Sequence, residues 1–427
     1  MNPSGTAKIL FKNTFFQLLA KFITMSVTLV ATMILTRTYG REGYGDFNLM
    51  QNFPAIFFVI VDFGLNAIAV KEMSKSEKSE SYWFNNIFWF RTLFSLVLIG
   101  VLWLGLYLFP YAESLRFGIQ LGLFVILTQS FFNSASIIYQ SKLRYDLASI
   151  GPIAGSLIIF MLVLLMSHFK VQISFVNFSY VIGGLVVLLV NYFAIRTLGI
   201  KFSFSMDPQF IKRLVIQSLP LGLMFIFSQI NFKADSILLS ILQVPEYLHL
   251  NNSEAVAVYG LPYKIFEVFL VLPTFYMNSL YPLLVQKFNT DKNGKDLYDF
   301  IVKNLLTLFL GGITIGSLGY LFSDTIVVIL GGYQFVQSIE VAQILLGGIV
   351  LFFITQPLAW LLVLFDKQSY LPIIYLVSAC FNVLCNYFFI PIGSFYASAT
   401  ITLISELLIL LMLIPTVIIV WRKHYVA

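Results

Sequence analysis

The sequence predicts an all-α polytopic membrane protein, with twelve transmembrane helices in two six-helix lobes around a central cavity. Three observations predict it. Of the 427 residues, 59% are hydrophobic and only 11% are charged, against roughly 45–50% apolar and about 25% charged in soluble chains. The apolar residues come in long blocks of helical length, not in the short alternating segments of a β-barrel. The lysines and arginines are concentrated in every second connecting segment. The same composition excludes disordered, collagenous, coiled-coil and disulfide-scaffold chains.

A helix crosses the hydrocarbon in about 20 residues. The first block, 13–36, follows Lys8 and Lys12 and carries no small-residue cleavage site, so it reads as a spanning helix and not as a removed leader. Further blocks lie at 47–70, 84–108, 117–139, 147–167 and 174–195. A second set occupies 214–241, 255–284, 300–322, 341–365, 369–390 and 394–420. With the N-terminus inside, 18 of the 26 lysines and arginines fall in cytoplasmic segments, and only Arg37, Arg41, Arg116 and Lys170 fall on the opposite side. This positive-inside bias places both termini in the cytoplasm. One helix more or fewer would scramble the alternation. The connecting segments are too short for a folded domain outside the membrane.

A weak internal repeat suggests a duplication. Tyr44-Gly45 opens one helix that ends at Lys71, and Tyr259-Gly260 opens another that ends near Lys287. The expected lobes are residues 1–206 and 207–427. Both begin on the same side, and such parallel repeats suggest a transporter with its substrate path between the halves. The net charge of +6 resides in loop segments and implies no nucleic-acid partner. Cys380 and Cys385 are five positions apart, point to different helix faces and form no framework. His168, His249 and His424 are scattered, so no metal site and no catalytic group is expected.

Polar groups within spans are the candidate functional residues, because each is costly in hydrocarbon. Asn13, Gln17, Lys21, Thr24, Thr28 and Thr32 recur at steps of three and four along the first span and form one stripe. The second span carries Asn48, Gln51, Asp62 and Asn66. The seventh carries Asn231, Lys233 and Asp235, the eighth Lys264 and Glu267, and the eleventh Asn382 and Asn386. The threonines and the last two asparagines read as helix–helix contacts. The ionisable residues read as pathway residues, since a charge at mid-membrane costs about 2.5–3.5 kcal/mol. Lys264 and Glu267 are spaced to pair, whereas Lys233 and Asp235 must find partners elsewhere. Lys21 has no local acidic neighbour and is expected as a free positive charge. Arg91 is expected to snorkel to the cytoplasmic surface, and Glu406 to be hydrogen-bonded. Pro54, Pro220 with Gly222, and Pro273 mark candidate hinges.

Four stretches carry a family resemblance. They are Leu35-Thr36-Arg37 through Gly43-Tyr44-Gly45; Asp62-Phe63-Gly64-Leu65-Asn66 to Lys71-Glu72; Ser218-Leu219-Pro220-Leu221-Gly222 leading to Lys233, Asp235 and Tyr259-Gly260; and Asn382 and Asn386 ahead of Ile390-Pro391-Ile392-Gly393. In order and spacing the chain resembles the polysaccharide transporter family, the Wzx-type O-antigen repeat-unit flippases of the multidrug/oligosaccharidyl-lipid/polysaccharide exporter superfamily. It departs from the pattern at Tyr396-Ala397-Ser398, where many relatives carry Gly-Ala-Ala.

The resemblance implies movement of an undecaprenyl-diphosphate-linked oligosaccharide from the cytoplasmic to the outer leaflet of a bacterial inner membrane, with polysaccharide assembly partners. It implies a cationic cavity at Lys21, Lys233 and Lys264; the polar stripe of the first span adds Gln17 and Asn13 as cavity candidates. It also implies coupling to an H+ or Na+ gradient, with no resident cofactor, through Asp235, Glu267 and Asp62. A cation-coupled multidrug antiporter of the same superfamily is the nearest alternative. A membrane glycosyltransferase or polymerase fits less well, since the segment at 323–340 offers only Asp324 and Glu340 as outer-facing acids.

Overall fold

The computed structural model describes residues 3–291 and 293–425, with side chains described from Phe16 onward. Asn13 therefore lies outside the described side chains. Among the described residues there are fourteen α-helices and no strand. Among the described residues, ten helical stretches are long and apolar enough to cross a membrane. Two of them, Phe16–Met73 and Gln368–Tyr425, contain 58 residues each. At 1.5 Å per residue each would reach ~87 Å if straight, about three times the hydrocarbon thickness. Each is interrupted by a residue with non-helical dihedrals, Gly40 in the first and Ser394 in the second. Each therefore makes two crossings, and the total is twelve.

The structure divides into two compact units, one up to Gly222 and one from Leu223. The first contains α1 (Pro3–Asp62), α2 (Leu65–Met73), α3 (Glu80–Gly105), α4 (Glu113–Gly122), α5 (Phe124–Ser141), α6 (Tyr145–His168) and α7 (Ile173–Thr197). The division falls inside α8 (Pro208–Ile241). Ser79 starts α3 by accepting a hydrogen bond from the Tyr82 backbone N–H at 3.2 Å. Trp83 and Phe84 of α3, Phe131 of α5 and Phe210 of α8 then share one buried core. Trp83 and Phe210 meet edge to face at 4.8 Å. Helices α6 and α7 cross where Gly155 meets Gly183, and a Cβ on either would lie 2.9 Å from the other's carbonyl oxygen. Small residues at such a crossing let the two backbones touch without lipid between them.

The second unit contains α9 (Asn252–Thr290), α10 (Lys295–Leu321), α11 (Ser323–Gly331), α12 (Gln337–Gly347), α13 (Ile349–Leu364) and α14 (Leu371–Tyr425). Helix α9 opens with a capping box in which Asn251 and Glu254 each accept the other's backbone N–H. Its segment Ala255–Tyr263 is buried throughout. Ser338 of α12 ties to it by donating to the Val258 carbonyl at 2.8 Å.

The breaks do not fall at the expected hinge residues. Pro54, Pro220 and Pro273 lie inside helices that continue through them. The dihedrals leave the helical region at Gly40 (φ 68°, ψ −165°), at Phe63 and Gly64 (φ 43° and 65°), and at Ser394 (φ 47°, ψ −130°). Proline keeps a helical φ and removes one donor, whereas a residue with positive φ redirects the chain. The conformation of Gly40 is open essentially to glycine. Ser394 adopts positive φ with a side chain attached, at the start of the block expected at 394–420.

Candidate functional site

Two buried polar centres occupy the second unit. The first joins α8 to α9. Lys233 is almost buried, and its ammonium donates to Glu267 Oε1. Lys264 donates to the other carboxylate oxygen at 2.9 Å. Spacing alone leaves Lys233 and Asp235 without local partners, and the structure gives Lys233 the carboxylate one helix away. Two ammonium groups share one carboxylate. Lys264 and Glu267 are half-buried, with side chains 29% and 30% exposed. This edge of the cluster is therefore accessible, not sealed within the unit.

The second centre surrounds Asp235, which is fully buried. Its Oδ2 accepts from the Tyr259 hydroxyl at 2.6 Å and from Thr402 at 2.7 Å, and its Oδ1 accepts from Asn386 Nδ2 at 2.9 Å. Thr402 has one proton, which can serve either Asp235 or the Ser398 carbonyl at 3.0 Å. Ser398 donates to Asn386 Oδ1 at 2.8 Å. Among the described residues no lysine or arginine pairs with Asp235. The surroundings are oxygen-rich, with Asn382 Oδ1, Asn386 Oδ1 and the Ser398 carbonyl adjoining the carboxylate network.

Tyr263 links the two centres. Its ring lies 5.3 Å from that of Tyr259, and Lys233 Nζ stands 5.4 Å from its centroid. Its hydroxyl and Asn231 Nδ2 are buried with no hydrogen-bond partner among the described residues. A third acid, Glu406, accepts from Thr355, in keeping with its expected hydrogen bond. The sequence marked Asn382 and Asn386 as helix contacts, and Tyr259 and Thr402 were not singled out for function. Their role around Asp235 has no local signal, because α8, α9 and α14 bring them together from distant segments.

In the first unit Asp62 and Arg91 form a pair. Arg91 is fully buried, so it does not snorkel. It donates to Asp62 Oδ1 at 3.0 Å and to the Asp62 carbonyl at 3.3 Å. Helix α1 stops at Asp62, which leaves that carbonyl without a helical partner and gives the guanidinium a place to bond. Asn133 of α5 donates to the same Oδ1 at 2.7 Å. Gln17 is half-buried and Lys21 exposed on α1. Lys21 has a bonding partner, so it is not the free cation its neighbours in sequence predict. The Thr24 and Thr28 hydroxyls bond to carbonyls of their own helix, at 3.0 Å and 2.8 Å, and not across to another. No group of three or more His, Cys, Asp or Glu with metal-holding geometry occurs among the described residues.

A family model described as polysaccharide biosynthesis protein matches residues 10–288, more than half of the chain. The chain belongs to the polysaccharide biosynthesis protein family. No curated protein sequence matches it. Solved structures match the fold of this family member over nearly its whole length. The lipid II flippase MurJ, in an inward closed conformation, has a TM-score of 0.74 at 15% identity, covering 96% of this chain and 90% of that one. An inward-facing multidrug resistance MATE family transporter of the MOP superfamily also scores 0.74, at 12% identity, covering 96% and 99%. A MOP superfamily transporter from Pyrococcus furiosus, described as having reversed polarity in its binding pocket, scores 0.67 at 14% identity, covering 96% of each chain. These likenesses establish a MOP-superfamily transporter fold for this member of the polysaccharide biosynthesis family.

Proposed function

We propose that the protein is a flippase that moves an undecaprenyl-diphosphate-linked oligosaccharide from the cytoplasmic to the outer leaflet of a bacterial inner membrane by alternating access. The observation that carries this reading is the cluster of Lys233, Lys264 and Glu267, which sets two ammonium groups inside spanning helices with Lys264 and Glu267 only half-buried. A diphosphate is an anion that hydrocarbon rejects, and an ammonium group reached from water supplies charge-assisted hydrogen bonds to it. Family membership and the MurJ-like fold support the substrate class. Lys21, exposed on the first span, would add a second basic contact.

Asp235 is the residue proposed to couple transport to an ion gradient. It is buried, unpaired with any described base, and surrounded by side-chain and carbonyl oxygens. Such a set suits a small hard cation carried as cargo, or a proton. The tilted Tyr259–Tyr263 ring contact gives a physical route by which occupancy at Asp235 alters the position of Lys233. A membrane potential contributes about 2.3 kcal/mol per charge per 100 mV.

The test is uptake of fluorescent undecaprenyl-diphosphate oligosaccharide in proteoliposomes with an imposed H+ or Na+ gradient. Lys21→Ala and Lys264→Ala should each lose transport, and Asp235→Asn should lose its gradient dependence. Full activity in both lysine variants would overturn the cationic-site reading. A second reading, a cation-coupled multidrug antiporter, is favoured by the equal TM-score of the MATE relative. Efflux of a cationic dye, measured beside the flippase assay, separates the two.

A further inference from the structure

The first unit contains a cavity of about 290 Å³ between the second half of α1 and the α4–α5 pair. This lies near the lower end of the volumes that hold small ligands. Gln51, Phe58 and Gln129 line it. Gln129 is exposed, yet it sits at the middle of the spanning stretch Glu113–Ser141. An amide facing hydrocarbon there would forfeit its hydrogen bonds at a cost of several kcal/mol. The face must therefore meet water or a polar ligand. Gln51 donates to Asn177 Oδ1 at 2.5 Å, and Asn177 is itself held by donating to the Gly118 carbonyl at 2.9 Å. One of the two Gln51 amide N–H groups is thus occupied, and the other N–H and the carbonyl oxygen are the groups it can offer to a ligand.

The polar lining continues along the same two helix faces. Gln51, Ala55, Phe58 and Asp62 follow one another at steps of four, three and four on α1. Gly122, Ile126, Gln129 and Asn133 do the same along α4 and α5. The two rows end together where Asn133 donates to Asp62. Asp62 remains a quarter exposed and retains acceptor capacity. The nearest base is Arg91, and its charge is balanced by Asp62. The groove is therefore formally neutral, rich in amide donors and acceptors, and bears one aromatic ring.

We propose that this groove of the first unit binds the uncharged sugar portion of the substrate, through hydrogen bonds from Gln51, Gln129 and Asn133 to hydroxyl or acetamido groups and contact of a pyranose face with Phe58. The inference rests on the flippase reading and adds to it a sugar-reading element separate from the basic cluster. Neutral amide chemistry pairs with hydroxyls and acetamides, and it lacks the spare cation a diphosphate requires. The aliphatic C–H face of a sugar ring suits an aromatic surface.

The experiment measures binding to the purified full-length protein of two probes, undecaprenyl diphosphate and undecaprenyl diphosphate carrying N-acetylglucosamine. The readout is the ratio of their Kd values. The wild type should prefer the sugar-bearing carrier. Gln129→Leu and Phe58→Leu should each reduce that preference by about three- to tenfold, the loss expected for one or two neutral contacts. Lys264→Ala should weaken both probes alike and leave the ratio in place. A wild type that binds both carriers equally, or a ratio unchanged in both groove variants, overturns the subsite and leaves the flippase reading standing. If the wild type binds neither carrier, the flippase reading fails. The groove is then judged with free N-acetylglucosamine oligosaccharide by saturation-transfer NMR: a signal lost in Gln129→Leu supports the sugar site, and no signal overturns it.

Discussion

Replacement of Glu267 by Gln separates the structural from the functional role of the basic cluster. Glu267 bonds both Lys233 and Lys264. Lys233 is 9% exposed, so Glu267→Gln strands a nearly buried ammonium, at a cost of about 3–5 kcal/mol. Lys264 has a side chain 29% exposed, so Lys264→Gln removes a half-buried pair, leaves Glu267 bonded to Lys233 and keeps a polar side chain at 264, and should cost about 1 kcal/mol. Lys233→Met leaves Glu267 paired with Lys264 and should cost about 1.5–3 kcal/mol, the range for a hydrogen bond to a charged group. The expected order of destabilisation is Glu267→Gln, then Lys233→Met, then Lys264→Gln. Transport should follow a different order, because Lys264 offers the accessible charge. Lys264→Gln should be nearly as stable as the wild type and should lose most uptake of lipid-linked oligosaccharide. Stability is read by denaturant unfolding in detergent and transport in proteoliposomes. If Lys264→Gln destabilises as much as Glu267→Gln, or if uptake merely tracks stability across the three variants, the lysines are structural and the reasoning fails.

Three further outcomes follow from the geometry. Asp62→Ala leaves the fully buried Arg91 uncompensated and should cost about 3–5 kcal/mol, whereas the double variant Asp62→Ala/Arg91→Leu should recover part of that loss in a double-mutant cycle. Gly40→Ala should destabilise by about 1–3 kcal/mol and Ser394→Gly should stabilise, since both positions hold a positive φ; equal unfolding midpoints for all three proteins would contradict the assigned breaks. Asp207 accepts from the Tyr82 hydroxyl at 2.6 Å and from the backbone N–H groups of Gln209 and Phe210. The Tyr82 hydroxyl first, and the Phe210 N–H next, hold its carboxyl below the usual carboxylate range. A depressed acid stabilises the folded form above its unfolded pKa and loses that contribution as pH falls through the folded value. Hydrogen-exchange protection in the first turn of α8, taken relative to the intrinsic rate at each pH, should therefore fall on acidification through and below the ordinary carboxylate range, and less so in Asp207→Asn.

Much of the site was legible residue by residue but not in its pairing. Charges within spans stand out in the sequence, because hydrocarbon penalises them wherever they lie, and so Lys233, Asp235, Lys264, Glu267 and Asp62 could be singled out without coordinates. Only the i, i+3 pair of Lys264 and Glu267 had a partner close enough along one helix to name. Arg91 looked like a snorkelling residue because its distance from the helix end was visible and its contact with the end of α1 was not. Tyr259, Asn386 and Thr402 are ordinary polar residues singly. They acquire meaning from Asp235, which lies on a different helix from each of them.

The amino-acid sequence by itself determined the solvent this protein lives in, the helical class and the number of crossings. Those properties follow from hydropathy summed over about 20 consecutive residues, and each such window is decided locally. Only the tertiary structure decided where the long helices break and which charges neutralise which. A break at Gly40, Gly64 or Ser394 depends on the backbone direction that the surrounding helices demand, while proline can remain within a helix when its neighbours hold it there. Ion pairing depends on distances between side chains from separate helices, and no local window contains those distances.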